Sequence, residues 1–378
     1  MIFIDSLTCG GAEKSLVSLL PFLAKCNYEI TLMLSARGGI FERYVPNSVK
    51  LIDFPYKPSL VHRLRYSLAL RLPWNKGIHG AELYWKYIGR YYRPLETEYD
   101  VAIAYQQGFP TYYIAEKVKA KKKICWINVD LAAAGYSPSF NSPFYSVFNA
   151  LIPVSKILSE QFVSQGFANH VQQIKTIFDI QNVQLIQQMS KAEIMGENSM
   201  CKSSGRYIIT TVGRLVKQKG YDLAIEAAET LKANGLDFTW YFVGEGSLQT
   251  KLQENVLKRG LSKNIVFTGV QGNPYPFMKN ADIYVQTSKF EGFGLTVGEA
   301  KILQKPIVST DFPVIHNQIE NEVNGLIVGM SGKEIADGVL RLLNNKDLQN
   351  KFVSNLQKEN NTTSETESAK VISLIEEK

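Results

Sequence analysis

Tyr207-Ile208-Ile209-Thr210-Thr211-Val212-Gly213-Arg214-Leu215-Val216-Lys217-Gln218-Lys219-Gly220 is the stretch on which the fold turns. Its first seven residues read as a strand, and Asp222–Asn234 follows with a helical pattern. A strand, a short loop and a helix make one step of a βαβ series, and the steps repeat outward. Strands are expected at Phe238–Val243, Ile265–Gly269, Ala281–Thr287, Pro306–Ser309 and Leu326–Val328, with helices at Leu248–Lys258 and from about Leu295. The same alternation runs through the first half. Strands are expected at Met1–Leu7, Ile30–Ser35, Val101–Tyr105, Lys123–Ile127 and Ala150–Val154. Glu13–Lys25 reads as a helix, with Leu16, Leu19, Leu20 and Leu23 on one face. Such alternation predicts parallel sheets, here of the doubly wound kind. The first strand is short and the chain starts almost inside it, which suggests that a few residues precede it.

A polar, weakly patterned stretch at Ser190–Gly205 separates the two series. The expected division is a first domain over 1–190, a linker over 191–204, a second domain over 205–360 and a tail over 361–378. In that tail Glu359–Glu367 reads as polar loop, and Ser368–Glu376 as a last helix packing back on the first domain. A chain of 378 residues and 42.5 kDa suits two domains. Its 45% of hydrophobic residues exclude wholesale disorder. Cys9, Cys26, Cys125 and Cys201 form no C-x-x-C pair, which excludes a disulfide scaffold or a Cys-rich zinc site and suits a reducing compartment. No apolar run approaches the roughly 18–20 residues that span a bilayer, and the first residues lack the marks of a signal peptide. The expected location is cytoplasmic. Residues 1–180 hold 20 Lys and Arg against 13 Asp and Glu, a surplus equal to the whole net charge of +7. A basic first half suggests an anionic partner.

Three loops carry candidate chemistry. Thr8-Cys9-Gly10-Gly11-Ala12-Glu13 lies between the first strand and the first helix, where glycines let a ligand approach unpaired helix N–H groups. The plainer alternative is a tight turn. In the loop quoted at the outset, Gly213 is followed by Arg214 and Lys219, two cations able to bracket a diphosphate. The alternative there is a solvated basic loop. The third loop is Ser288-Lys289-Phe290-Glu291-Gly292-Phe293-Gly294-Leu295-Thr296-Val297-Gly298-Glu299-Ala300. Glu291 stands beside two glycines, and Glu299 is expected about two turns inside the helix, which separates the carboxylates by roughly 10 Å. That spacing fits the two ends of a nucleotide-sugar, with the N–H groups of Gly292–Leu295 facing its diphosphate. The alternative is an ordinary helix cap with two surface glutamates.

The order of these pieces resembles the family 4 retaining glycosyltransferases of the GT-B fold, notably bacterial enzymes of capsule and other surface-polysaccharide assembly. The resemblance is strongest from Tyr207 to Val328. It includes Phe242-Val243-Gly244-Glu245-Gly246, Ile265-Val266-Phe267-Thr268-Gly269 and Asn324-Gly325-Leu326-Ile327-Val328. Gly10–Lys14 matches in the first half. The resemblance implies two Rossmann-like domains facing a cleft. It implies that Arg214 and Lys219 hold the donor diphosphate, that Glu299 binds the ribose hydroxyls, and that Glu291 orients the donor sugar. Gly11 would approach the phosphate, and Gly10, Gly213, Gly292, Phe293, Gly294 and Leu295 would line the donor site. A UDP-sugar is the expected donor, with no metal and no further cofactor; no Asp-x-Asp occurs.

Two departures stand out. Trp126-Ile127-Asn128-Val129-Asp130 has Asn128 where many relatives have His, leaving Asp130 as an acceptor-side base or a turn aspartate. Asp311–Asn317 lacks the Gly-Gly-x-x-Glu of relatives, so no sugar identity is borrowed. Other GT-B chemistries, epimerase or phosphorylase, are the nearest alternatives, and a basic non-catalytic binding module is a further one. No nucleic-acid motif is present. Lys121-Lys122-Lys123 reads as a solvated helix end, and His62, His79, His170 and His316 show no metal-ligand spacing. Leu60–Arg93 interleaves seven basic residues with Tyr66, Trp74, Tyr84, Trp85, Tyr87, Tyr91 and Tyr92 against the single acid Glu82. That pattern predicts either a helix pair whose aromatics fill the core or a segment resting on an anionic membrane. The second case suits a glycan acceptor on a polyprenyl lipid, which is what the resemblance implies.

Overall fold

β1 (Ile2–Ile4), β2 (Thr31–Leu34), β3 (Lys50–Asp53), β4 (Glu98–Ala104), β5 (Lys119–Ile127) and β6 (Ala150–Pro153) form one sheet, in the order β3-β2-β1-β4-β5-β6. β7 (Tyr207–Val212), β8 (Phe238–Val243), β9 (Ile265–Gly269), β10 (Ile283–Gln286), β11 (Ile307–Thr310) and β12 (Leu326–Val328) form another, in the order β12-β11-β10-β7-β8-β9. Every pairing in both sheets is parallel. The computed structural model describes residues 1–8, 10–168, 173–194, 200, 205–359 and 362–377. Cys9, His170, Cys201, the side chain of Trp74 and, within the expected linker, residues 195–199 and 201–204 lie outside the described set.

The chain divides into two units. One comprises Met1–Ile180 with Thr363–Lys378, and the other Gln181–Thr362. Helices cover parallel sheets on both faces, so the buried lengths of the strands run largely apolar; β4 and β5 are fully buried only toward their C-terminal ends. β1, β6 and β10 are buried at every residue. β3 lies at a sheet edge, with Lys50 and Asp53 exposed and only Leu51 and Ile52 half-buried between them. Sequence periodicity misses it because two apolar residues carry no period.

The helix Thr362–Glu376 starts well before Ser368, so the polar loop expected over Glu359–Glu367 is corrected in its second half. Its buried residues, Glu367, Ser368, Val371 and Leu374, recur at helical spacing, but half of them are polar. Glu367 is held inside by accepting the Phe178 N–H at 2.9 Å and pairing with Lys370 at 2.6 Å. The helix end is tied to the first unit by Lys122, which donates to the Leu374 and Glu377 carbonyls at 2.5 and 2.8 Å. Lys121–Lys123 therefore lie in β5 and not at a helix end. Lys123 donates to the Ala115 carbonyl, and burial lowers its pKa.

The core of the first unit is aromatic. Phe54 meets Phe109 edge-on at 5.1 Å and Tyr113 at 4.9 Å, and Trp85 lies 5.7 Å from Tyr112. Trp85 and Tyr92 belong to the buried cluster, and Tyr66 and Tyr84 pack against it. Their placement among lipid headgroups is thereby corrected: these four rings fill the core. Tyr91, by contrast, is exposed.

A buried polar cluster in the same unit encloses a carboxyl group. Ser15 Oγ lies 3.1 Å from Tyr105 Oη and accepts the Ile180 N–H at 3.2 Å. Asp179 joins this group with Oδ1 enclosed and unpartnered among the described residues. Burial raises its carboxyl from 3.8 to about 7, opposed by a hydrogen bond to Ser15. Between those values the folded chain keeps a proton that the unfolded chain has released. The stabilisation is therefore full below about pH 4 and lost as pH rises through 7. Asp179→Asn should remove that slope, and wild type should lose about 4 kcal/mol relative to the variant between pH 4 and pH 8. Urea unfolding at both pH values measures it; parallel curves would refute the assignment.

Candidate functional site

In each sheet the strand order reverses once, between β1 and β4 in the first and between β7 and β10 in the second. Helices leave adjacent strands there in opposite directions, which opens a crevice beyond their C-terminal ends. The loops after β7 and β10 are the two that carry Arg214 with Lys219 and Glu291. The topology thus brings together residues some 70 positions apart in sequence.

Glycines let these loops close on one another. Gly220 has φ +63°, and a Cβ there would stand 2.0 Å from the Thr287 carbonyl oxygen. Thr287 Oγ1 donates to the Lys219 carbonyl at 2.8 Å, and Lys289 N–H to the Gln218 carbonyl at 2.8 Å. Gly213 lets the Lys219 side chain lie flat: a Cβ there would meet its Cδ and Cε at 3.3 Å. Tyr221 Oη donates to the Gly213 carbonyl at 2.9 Å and fixes the strand end.

Glu291 is the most heavily bonded group of the site. Its Oε1 accepts from Lys219 Nζ at 2.5 Å, Ser288 Oγ at 2.6 Å and Gln286 Nε2 at 3.0 Å. Its Oε2 receives only a long contact from Gln218 Nε2 at 3.5 Å among the described residues, so it keeps accepting capacity. Gln286 is buried, and its orientation is imposed from behind. Tyr284 Oη and Thr296 Oγ1 donate to its Oε1 at 2.7 and 3.1 Å, which turns Nε2 toward Ser288 and Glu291. The Lys219 and Glu291 side chains are 15% and 7% exposed, which sets the pair apart from a surface salt bridge. Arg214 is exposed, with no ion pair among the described residues.

The helix Leu295–Ile302 starts at Gly294, which has φ +87°. Gln318 Nε2 donates to the Phe293 and Gly294 carbonyls and holds the Gly292–Gly294 turn. Glu299 is the fifth residue of this helix, one turn in and not two. It is 2% exposed, and Tyr275 Oη donates to its Oε1 at 3.0 Å. Two buried, hydrogen-bonded carboxylates do not fit the picture of surface glutamates beside an ordinary cap. Gln286, Tyr284, Tyr275 and Gln318 escaped the sequence reading, whereas Ser288, Thr296 and Gln218 lie within the two loop motifs without having been singled out.

The first unit holds the remaining candidates. Gly10 caps the helix Gly11–Ala24, which follows β1, and Gly11 is exposed. Asp130 closes a turn: its Oδ1 accepts the Ala133 N–H at 3.0 Å and Gln165 Nε2 at 3.1 Å. Asn128 Nδ2 donates to the Tyr105 carbonyl at 3.0 Å, while its Oδ1 is buried without a partner among the described residues. No three His, Cys, Asp or Glu side chains among the described residues gather in a way that holds a metal.

Comparison with known proteins agrees with this geometry. Residues 198–359, which include the loops after β7 and β10, match the family model Glycosyl transferases group 1. Poly(ribitol-phosphate) alpha-N-acetylglucosaminyltransferase of Staphylococcus aureus is 28% identical over 207 residues, 52% of this chain and 41% of that protein. The chain thus matches less than half the length of that relative. A Campylobacter jejuni N-acetylgalactosaminyltransferase acting on a diphospho-undecaprenol glycan is 25% identical over 324 residues, 82% of this chain and 80% of that protein. Among solved structures, HepE of Anabaena in complex with UDP and glucose superposes with a TM-score of 0.69 at 17% identity, over 99% of this chain and 98% of that one. A mutant of S. aureus TarM solved with UDP gives 0.68 at 16%, over 100% and 99%. At such identities the likeness establishes the fold, which is GT-B.

Proposed function

We propose that this chain is a retaining glycosyltransferase, moving a hexosyl group from a UDP-sugar to a glycan or polyprenyl-linked glycan in bacterial surface-polysaccharide synthesis. The observation that carries the reading is the convergence of Arg214, Lys219 and Glu291 on adjoining loops at the strand-order reversal of the second sheet, with Glu299 on the helix that follows. UDP bound to HepE and to the TarM mutant, and the lipid-linked glycan named for the Campylobacter relative, support the choice of donor and acceptor.

In this reading Arg214 and Lys219 take the charge that builds on the departing diphosphate. Fixed cations lower the barrier because they need no reorganisation as the glycosidic bond breaks. Glu291 turns its less occupied Oε2 to the sugar hydroxyls, and Glu299 accepts from the ribose. The glycine turn at Gly292–Gly294 presents backbone N–H groups to the phosphates. Asp130 holds its turn through Oδ1, and its Oδ2 is the oxygen left for an acceptor hydroxyl. The reaction needs no metal and no further cofactor, so activity should persist in a chelator. The chain works at the cytoplasmic side of the membrane.

A thermal-shift screen against nucleotide-sugars tests the donor. A ligand at a hundred times its dissociation constant stabilises by about 2.7 kcal/mol, and no shift with any UDP-sugar would overturn the choice. Product analysis separates transfer from epimerisation, which consumes donor without acceptor. The carboxylates should also divide their work. Glu299→Gln should weaken UDP and UDP-sugar alike, by about tenfold for one lost charge-assisted hydrogen bond. Glu291→Gln should spare UDP and depress sugar transfer. Calorimetry with both ligands decides, and equal losses for UDP in the two variants would contradict the division.

A further inference from the structure

The helix Leu60–Ala69 has two apolar sides, and only one is used by the fold. Ser59 caps it by accepting the His62 N–H, and Asn75 Nδ2 donates to the Ala69 carbonyl at 2.8 Å beyond its other end. Its inward side is His62, Tyr66 and Ala69. The His62 ring stacks on Tyr91 at 4.4 Å, Tyr66 meets Tyr84 edge-on at 5.6 Å, and Ala69 is buried. At about 100° per residue, Leu60, Leu64 and Leu68 line up on the opposite side. They are 76%, 65% and 61% exposed, and Val61 beside them is 58% exposed. Arg63 flanks this stripe on one side, Arg65 on the other, and Arg71 extends it past the helix end; all three are exposed. From Phe54 to Ala81 the chain has Lys57, Arg63, Arg65, Arg71 and Lys76 and not one acidic residue.

We propose that this helix seats the first unit on an anionic phospholipid surface. Leu60, Leu64 and Leu68 enter the headgroup boundary, and Arg63, Arg65 and Arg71 reach the lipid phosphates. An apolar stripe with arginines on both borders suits a plane whose interior is oily and whose surface is negative. A second copy of the chain fits worse, because a two-fold contact along the stripe sets arginine against arginine. A partner groove that encloses a basic helix needs more of its circumference than the docked helix leaves free. The inference stands on this helix and not on the donor site.

The test is co-sedimentation of the full chain, without nucleotide, with vesicles of phosphatidylcholine alone and of equal parts phosphatidylcholine and phosphatidylglycerol. Binding should require the anionic lipid and weaken as salt shortens the screening length from about 10 Å at 0.1 M to 3 Å at 1 M. Each arginine near an anionic leaflet is worth about fivefold, so replacing Arg63, Arg65 and Arg71 with Gln should cost on the order of a hundredfold. Leu60→Gln, Leu64→Gln and Leu68→Gln together should cost at least about tenfold even at low salt. Both variants should melt with the wild type, since the changed side chains are exposed. The proposal is overturned if wild type ignores anionic vesicles at low salt, or if the leucine variant binds them unchanged. It is equally overturned if the stripe drives a concentration-dependent dimer that the leucine variant abolishes.

Discussion

Lys219→Ala is expected to cut turnover on a UDP-sugar by about a hundredfold, the scale seen when one preorganised donor to a developing anion is removed. The same change should lower stability by about 2 kcal/mol. Lys219 is the cation bonded to Glu291, and removing it leaves a nearly buried carboxylate without its counter-charge. A broken buried pair typically costs about 3–5 kcal/mol. The loss here is smaller because Ser288 and Gln286 still donate to the same oxygen. The two effects separate in the double variant Lys219→Ala with Glu291→Gln, which removes the stranded charge. Urea unfolding should show most of the stability restored, while turnover stays low. Wild-type turnover in Lys219→Ala would end the phosphate role. An unchanged unfolding midpoint would show that the pair contributes nothing to the fold.

Gly220→Ala should be worse for the fold than Lys219→Ala. The residue has φ +63°, where a side chain costs about 1–2 kcal/mol, and the new Cβ would press on the Thr287 carbonyl. That oxygen is backbone and cannot swing aside as a side chain can. The loops after β7 and β10 must separate, which breaks the bonds from Thr287 to Lys219 and from Lys289 to Gln218. A loss of at least about 3 kcal/mol is expected, with donor binding lost as well. Gly235→Ala supplies the control. Its φ is +75°, but nothing lies within 4 Å of its would-be Cβ, so only the backbone cost of about 1 kcal/mol applies. Equal losses in the two variants would mean that the close approach at Thr287 carries no weight.

Much of this arrangement was legible before any coordinates. Central strands such as β7 and β10 announce themselves because parallel sheets demand apolar residues on both faces. The glycines and charges that follow them mark the loops at which a ligand binds. What stayed hidden is what burial does to ambiguous residues. Edge strand β3 has two apolar residues and no rhythm. The helix Thr362–Glu376 turns Glu367 and Ser368 inward, so its buried face looks like surface on paper. In the segment Leu60–Arg93 a core helix pair and a membrane-resting surface both stayed open, and only packing reveals that Tyr66, Tyr84, Trp85 and Tyr92 went in while Tyr91, Leu60, Leu64 and Leu68 stayed out. Gln286 was invisible for a related reason. A glutamine inside a strand carries no motif, and its meaning lies in Tyr284 and Thr296 behind it and Glu291 in front.

The helix Thr362–Glu376 also bears on the order of events during synthesis. Strands β1 to β6 leave the ribosome first, yet the helix that Lys122, Tyr28 and Phe178 hold emerges only after the whole second unit. At about 5–20 residues per second, the intervening chain takes on the order of ten to forty seconds to appear. During that interval the first sheet waits with the surface for Val371 and Leu374 uncovered, while the second unit gains its last strand, β12, before the helix appears. The half of the protein made first is the half completed last.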